Sequence, residues 1–575
     1  MKAKILLFMM MALALVRCKD SESFTPEPDP VVFDASAFVA VEDLSGNPIQ
    51  GVKITVGDIE GLTDDDGLLF LNKVEMNPST YLVAERAGYF HGSRRFYPSE
   101  GKTSFIKLVL LPEQLAGTMS ATAGGTIGVS GGIQLDFPAN AVVDENGNAY
   151  TGTVSVYAQP IAADDPDLSN KMPGDLVGIN EAGEQGKMAS FGMVVAELRS
   201  ASGDLLQVKA GSSVEMTMDV PASMLDKAPA TIPMWYFDET LGLWKEEGEA
   251  TLQGDKYVAQ LGHFSYWNCD AWFEIVKWGA TFVYENGSTA SQVLVCLTIL
   301  DLDATSCSYT NEDGFVCGMV ASDELMLMEV KSPCGDVIYS QQIGPYSDTT
   351  MIGPITIPAS SVSFTEVSGF AVNCDGNPVT NGYAKITVGE QHYYEVLDEV
   401  TGEFSISVMN CDESDITIKI VDETAFKQSL TYSYTYAPVI DAGTISVCET
   451  VTEFIDLEVV GLPEHYIFFF PTSYIQQGNT VLIGQDSSTS FQFFYVNVPG
   501  TSAGTFAVNG AEVGVELPNG DRAFANGTNM NVTITYYGPV GDYIIGTVTG
   551  TWHTGPNGQG GPDYPLAGTF SILRE

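Results

Sequence analysis

The serine, histidine, aspartate and cysteine side chains of this 575-residue chain are where chemistry would have to begin. Gly500-Thr501-Ser502-Ala503-Gly504 has the G-x-S-x-G spacing that can hold a nucleophilic serine on a tight strand-to-helix turn. The residues that follow, Thr505 to Gly510, read as strand then turn, so the helix such a nucleophile requires is not expected. Five histidines, His91, His263, His392, His465 and His553, are scattered without H-E-x-x-H spacing, which disfavours a His-ligated metal. Asp64-Asp65-Asp66 and Asp164-Asp165-Pro166-Asp167 could offer calcium the oxygens of Asp64, Asp66, Asp164, Asp165 and Asp167. Neither run completes EF-hand spacing, and Asp-rich turns are usually solvated; calcium is the one cofactor left open. With 73 Asp and Glu in the chain, some carboxylates lie close by chance. A glycan-degrading pair is therefore an alternative that spacing alone cannot support.

Eight of the nine cysteines, Cys269, Cys296, Cys307, Cys317, Cys334, Cys374, Cys411 and Cys448, fall in one stretch, with no C-x-x-C and no histidine at zinc-ligand spacing. An even number in one region of an exported chain favours disulfides over metal, and at least two bridges are expected among all eight. Sequence does not choose the pairing.

Export is read from the start of the chain. Met1-Lys2-Ala3-Lys4 carries two positive charges and Ile5 to Val16 is an unbroken apolar run, too short to span a membrane. Residues 1–17 are the expected signal peptide. Leu15-Val16-Arg17-Cys18 resembles the lipobox of bacterial lipoproteins, with Arg17 where a small residue is usual, which implies lipidation of Cys18. Lys19-Asp20-Ser21-Glu22 resembles the export signal of Bacteroidota-type lipoproteins, which implies an outer-membrane location facing the cell exterior. Residues 18–32, with Pro26, Pro28 and Pro30, form a tether.

The full chain carries a net charge of -48, with 25 Lys and Arg. Phosphate-backbone binding needs basic clusters, so nucleic acid is excluded as a partner. An apolar share of 45% is enough to bury several cores.

Self-comparison supplies the architecture. Gly46-Asn47-Pro48-Ile49-Gln50-Gly51-Val52-Lys53-Ile54-Thr55-Val56-Gly57 recurs as Gly376-Asn377-Pro378-Val379 and Lys385-Ile386-Thr387-Val388-Gly389. Short apolar runs precede both, Phe38-Val39-Ala40-Val41 and Gly369-Phe370-Ala371-Val372. The turn residues and the β-branched residues beside them read as strand, turn, strand. Thr63 to Gly67 and Thr401-Gly402 mark a later turn, and a degenerate middle copy runs through Phe282 to Gly287 and Asn311 to Phe315. These motifs resemble the carboxypeptidase regulatory-like family of transthyretin-like sandwiches, over 33–112 and 361–449 and more faintly over 273–360. The resemblance implies accessory domains without catalytic activity.

Residues 113–272 differ. Gly124-Gly125-Thr126, Gly131 to Ala141, Thr153 to Tyr157, and Pro233 to Asp238 with Gly242-Leu243-Trp244 resemble the β-sandwich module of ankyrins, netrin receptors and zonula-occludens proteins. Some eukaryotic members of that family cut themselves at His-Phe-Ser. The resemblance therefore makes Ser265 a possible nucleophile toward the Phe264 carbonyl, with His263 as base. The competing explanation is that His263 to Ser265 belong to the last strand, with Phe264 inward. Residues 450–575 continue in a β pattern, with Tyr466 to Phe470 as a buried strand.

The chain is thus expected to be all-β, a series of immunoglobulin-like or transthyretin-like sandwiches with very little helix. Its expected role is non-enzymatic binding, adhesion or scaffolding at the cell surface, with a membrane contact through lipid and a glycan or protein ligand. The self-cleaving module and the glycan-degrading enzyme are the alternatives.

Overall fold

A computed structural model of the protein describes residues 32–575 apart from 65, 359–362, 426, 451–453, 460–464, 470, 486–491, 509–510, 517–521, 527–528, 538–542, 556–560 and 575. The signal segment, Cys18, the tether up to residue 31 and Asp65 lie outside the described residues. The fold is all-β: strands joined by turns, with one four-residue helix, Leu168–Lys171, and one short 3-10 turn, Leu225–Lys227.

Three segments share one topology. In the first, a three-stranded sheet orders Leu68–Met76, Phe33–Glu42 and Thr103–Val109 and faces a four-stranded sheet. Its opening strand is central, antiparallel to one neighbour and parallel to the other. The second segment repeats this arrangement with Phe315–Ala321, Ile275–Tyr284 and Thr350–Ile357. The third does so with Glu403–Met409, Phe364–Asn373 and Val439–Val447. The degenerate middle repeat is therefore a full structural copy.

One turn glycine explains why the motif survives where the rest has drifted. Gly67, Gly314 and Gly402 have φ of +68, +72 and +68°. Each accepts a 2.8 Å hydrogen bond at its carbonyl from the amide of Val41, Phe282 or Ala371. A Cβ would lie 2.6, 2.3 or 2.6 Å from the carbonyl oxygen of that same residue, so only glycine lets the two strands close.

The three copies and the central domain are packed together. The strand Phe33–Glu42 is buried on both faces: Ala37, Val39 and Val41 fill its own sandwich, while Phe38 turns outward with Phe70. Phe38 meets Tyr383 and Tyr394 of the third copy with ring centroids 5.2 Å apart in both pairs. Beside this cluster Asn72 Nδ2 donates to Asn381 Oδ1 at 2.6 Å. Gln292 of the second copy donates to the Tyr394 carbonyl and accepts from its amide, at 2.8 and 3.0 Å. The first copy also grips the central domain. Arg95 donates to the carbonyls of Leu241 and Gly242, and Tyr266 Oη donates to the His91 carbonyl.

The central domain is one 13-stranded assembly between Leu115 and Phe273, with Trp235, Trp244 and Trp267 in its interior. The C-terminal segment forms an 11-stranded sheet whose last strand, Asp563–Leu573, pairs with both Tyr543–His553 and Phe454–Val459. Its core, built from residues between Ile455 and Ile572, centres on Trp552 and Phe570.

Three disulfides form. Cys296–Cys307 links residues directly opposite on adjacent strands, Cys374–Cys448 lies within the third copy, and Cys334–Cys411 joins the second copy to the third. Three bridges meet the expectation of at least two, and of the eight candidate cysteines Cys269 and Cys317 stay free. Cys269 is fully buried in the central domain with its thiol directed at Met234 Sδ, 3.2 Å away. Cys317 faces the Tyr97 carbonyl instead. Each thiol is committed to a different neighbour.

Candidate functional site

The residues singled out by sequence are occupied with structure. His263, Phe264 and Ser265 form a bend just before the strand Tyr266–Phe273, one step outside the strand expected of them. Phe264 is inward as expected, stacked on Phe137, and its amide donates to Gln207 Oε1. The Ser265 hydroxyl donates to the Tyr266 carbonyl rather than facing that of Phe264. His263 lies against the rings of Tyr236 and Trp267, with Nε2 3.7 Å from Glu247. Among the described residues no hydrogen bond joins His263 to Ser265, and the bend has neither a cis peptide nor a positive φ. Backbone strain that would drive an acyl shift is not visible there.

The aspartates are similarly engaged. Asp64 caps its own turn by accepting from the amides of Asp66 and Leu68. Asp66 lies between Lys385 Nζ at 2.7 Å and Lys419 Nζ at 2.9 Å, both from the third copy. Burial would raise its carboxyl, but the two ammonium groups outweigh that and its pKa is lowered. The position where a calcium ion could have sat is held by two lysines. Asp164 accepts from Ser223, Asp165 pairs with Lys171 at 2.6 Å, and Asp167 is 3.5 Å from Asn170 Nδ2. Among the described residues no three His, Cys, Asp or Glu converge as a metal site. After Gly504 the chain continues directly into the strand Gly504–Val508, so Ser502 has no helix behind it.

What sequence reading missed is a cavity of about 120 Å³ where the first copy, the central domain and the second copy meet. The first copy supplies Arg94 and Tyr97 from the end of its edge strand. The central domain supplies Asp175 and Lys187, and the second copy supplies Tyr309 and Cys317. Tyr97 Oη donates to Asp175 Oδ2 at 2.9 Å, while Asp175 Oδ1 is buried without a donor. Lys187 is 9% exposed. Burial lowers its pKa, opposed by Asp175 and Asp270 and reinforced by Arg94. Burial likewise brings Arg94 down to about 10. Burial raises the Cys317 thiol, so it is protonated at neutral pH and a poor nucleophile. The cavity has charge to bind with and no nucleophile paired with a base. Its sequence signal was slight: Arg94-Arg95 is an adjacent pair of cations in a chain that has few.

A second electrostatic feature lies between the copies. Burial, then the charge of Glu312, pushes Glu395 up to about 8; burial, then Asp64 and Asp422, pushes Glu423 up to about 7. These two folded carboxyls hold protons that the unfolded chain has released between about pH 5 and 8, so their contribution to stability is greatest on the acid side and is lost as pH rises through that window, outweighing the opposite trend of His392, which burial brings down to about 4. The unfolding midpoint should fall across this range, and Glu395→Gln should flatten the decline. A flat wild-type profile, or a Glu395→Gln profile as steep as wild type, would rule this out.

No family model matches the chain, and no curated protein matches it. Among solved structures, the minor pilin GBS52 of Streptococcus agalactiae is 14% identical, covering 31% of this chain and 97% of its own, with a TM-score of 0.14. The shaft pilin SpaA of Lactobacillus rhamnosus GG is 8% identical, covering 31% and 98%, with a TM-score of 0.17. The Bacillus anthracis TIE protein is 10% identical, covering 66% and 68%, with a TM-score of 0.14. At these scores the likenesses carry no argument about function, which has to come from the chain's own geometry.

Proposed function

We propose that this is a lipid-anchored outer-membrane protein, facing the cell exterior, whose interlocked N-terminal domains bind or scaffold another macromolecule without acting on it chemically. One observation supports this best: three copies of one sandwich and the central domain are tied together by ion pairs, aromatic contacts and an inter-copy disulfide. Such a body presents loops in fixed relative positions, which favours recognition. Asp66, Asp164 and Asp165, singled out in the sequence, are engaged by Lys385, Lys419, Ser223 and Lys171 within this body. The ligand class is left as protein or glycan: five of the six tryptophans are at most 3% exposed, whereas Phe370, Tyr432 and Tyr474 present exposed rings.

The test is expression with the native leader in a Bacteroidota-type host, followed by intact mass and protease shaving of whole cells. We expect a single species beginning at a lipidated Cys18, degraded on intact cells, with Cys18→Ala losing the lipid and the membrane fraction. Ser265→Ala should leave the mass pattern unchanged. A wild-type product without lipid would refute the anchor, and two fragments that merge in Ser265→Ala would establish self-cleavage in its place.

A further inference from the structure

We propose that the cavity between the first copy, the central domain and the second copy binds a small oxyanion, held between the Arg94 guanidinium and the Lys187 ammonium. Carboxylates outnumber cations nearly threefold in this chain, and its basic side chains accordingly find them. Lys107 pairs with Glu42, Lys171 with Asp165, Arg199 with Glu113, and Lys385 and Lys419 with Asp66. Arg94 and Lys187 are different. Among the described residues neither has a hydrogen bond or ion-pair partner, although Lys187 is nine-tenths buried and both line the same cavity.

A buried cation without a partner is costly, and two that repel each other across one space are more so. The only carboxylate lining the cavity is Asp175, whose Oδ2 accepts from Tyr97 and whose Oδ1 has no donor, so it offsets at most one of the two cations. Arg94, Arg95, Lys107 and Lys187 line the cavity against the single carboxylate of Asp175, with Lys107 paired to Glu42, so the lining is net positive and a bound anion would offset it. The cavity exceeds what a single water needs and admits a molecule of several heavy atoms. A guanidinium fork suits the paired oxygens of a carboxylate or phosphate, and an ammonium adds a point charge to the same group. The shared chemistry is a compact anion with two or more terminal oxygens. Because its contacts come from two units, its binding would brace the first copy against the central domain.

The test uses the full exported chain in a chloride buffer of constant ionic strength, titrated calorimetrically with sodium acetate and with inorganic phosphate. We expect saturable binding of one equivalent of at least one of these anions below about 10 mM, accompanied by a rise in the unfolding midpoint. Arg94→Gln and Lys187→Met should each weaken that binding by about tenfold or more, while Lys245→Met, at an exposed site in the central domain, should not. Which anion saturates tells a carboxylate site from a phosphate site. No saturation by either anion overturns the proposal even if both variants fail to fold, and so does binding that survives Arg94→Gln and Lys187→Met unchanged.

Discussion

Replacing Asp66 with asparagine should destabilise the N-terminal body by about 2–4 kcal/mol, because it removes the negative charge shared by two largely buried lysines. Lys385 and Lys419 side chains are only 10% and 18% exposed, and the Asp66 carboxylate is 26% exposed. Removing the carboxylate takes away the charge that balances two largely buried ammonium groups, the costly direction; the partial exposure of Asp66 keeps the expected loss below that of a fully buried pair. The site also has a pH signature of fixed sign. A carboxyl whose folded pKa lies below its unfolded value stabilises above the unfolded value, near 3.8, and that contribution is lost as pH falls further. Acid unfolding of wild type below about pH 4 should therefore be steeper than that of Asp66→Asn. Calorimetry and hydrogen exchange across the contact between the first and third copies would measure both effects. The adjacent pair Tyr383 and Tyr394, packed on Phe38, should lose protection together with it. An Asp66→Asn protein as stable as wild type would mean that the lysines are solvated and that the contact rests on the aromatic cluster and the polar contacts beside it, such as Asn72 with Asn381.

How much of this was legible depended on whether a feature is local. The repeated strand-turn-strand was readable because a positive-φ glycine and a capping Asp or Asn recur whenever the same two strands close; Gly67, Gly314 and Gly402 show the constraint directly. The all-β class followed from the same alternation. The run Phe38-Val39-Ala40-Val41 also held a clue that was passed over. Consecutive apolar residues on a strand indicate burial on both faces, and the outward Phe38 is what docks the third copy. By contrast, no local pattern foretold that Asp66 would meet lysines more than three hundred positions away, and an acidic turn looks the same whether its charge meets calcium, water or ammonium. Arg94, Asp175 and Lys187 belong to two different units and make a site only when those units pack. Of the five tryptophans between 235 and 278, four are core and Trp272 is partly exposed. Disulfide number was within reach of composition, whereas the free state of Cys269 and Cys317 required knowing their neighbours.

The disulfide between Cys334 and Cys411 leads to an expected loss of similar size. It closes 77 residues of chain and has one end in each of two copies. Chain-entropy reasoning assigns a loop of that size about 4 kcal/mol, through the conformations it removes from the unfolded state. The bridge Cys374–Cys448 starts inside the same loop, so part of that entropy is already removed and about 3 kcal/mol is a better expectation for Cys334→Ser with Cys411→Ser. Its position gives the loss a distinctive form. Cys374–Cys448 and Cys296–Cys307 each lie within one copy and should stabilise that copy alone. Cys334–Cys411 spans two copies whose other contacts include the Gln292–Tyr394 hydrogen bonds and the Tyr284–Phe364 ring pair. Without it the second and third copies should unfold in separable steps, where the wild-type pair unfolds as one. Calorimetry of the double serine variant should resolve an additional transition, and the same split should follow selective reduction of that bridge. A variant that loses stability yet keeps a single shared transition would show that packing, rather than the covalent link, couples the two copies. An unchanged midpoint would show that the bridge adds nothing the packed interface does not already supply.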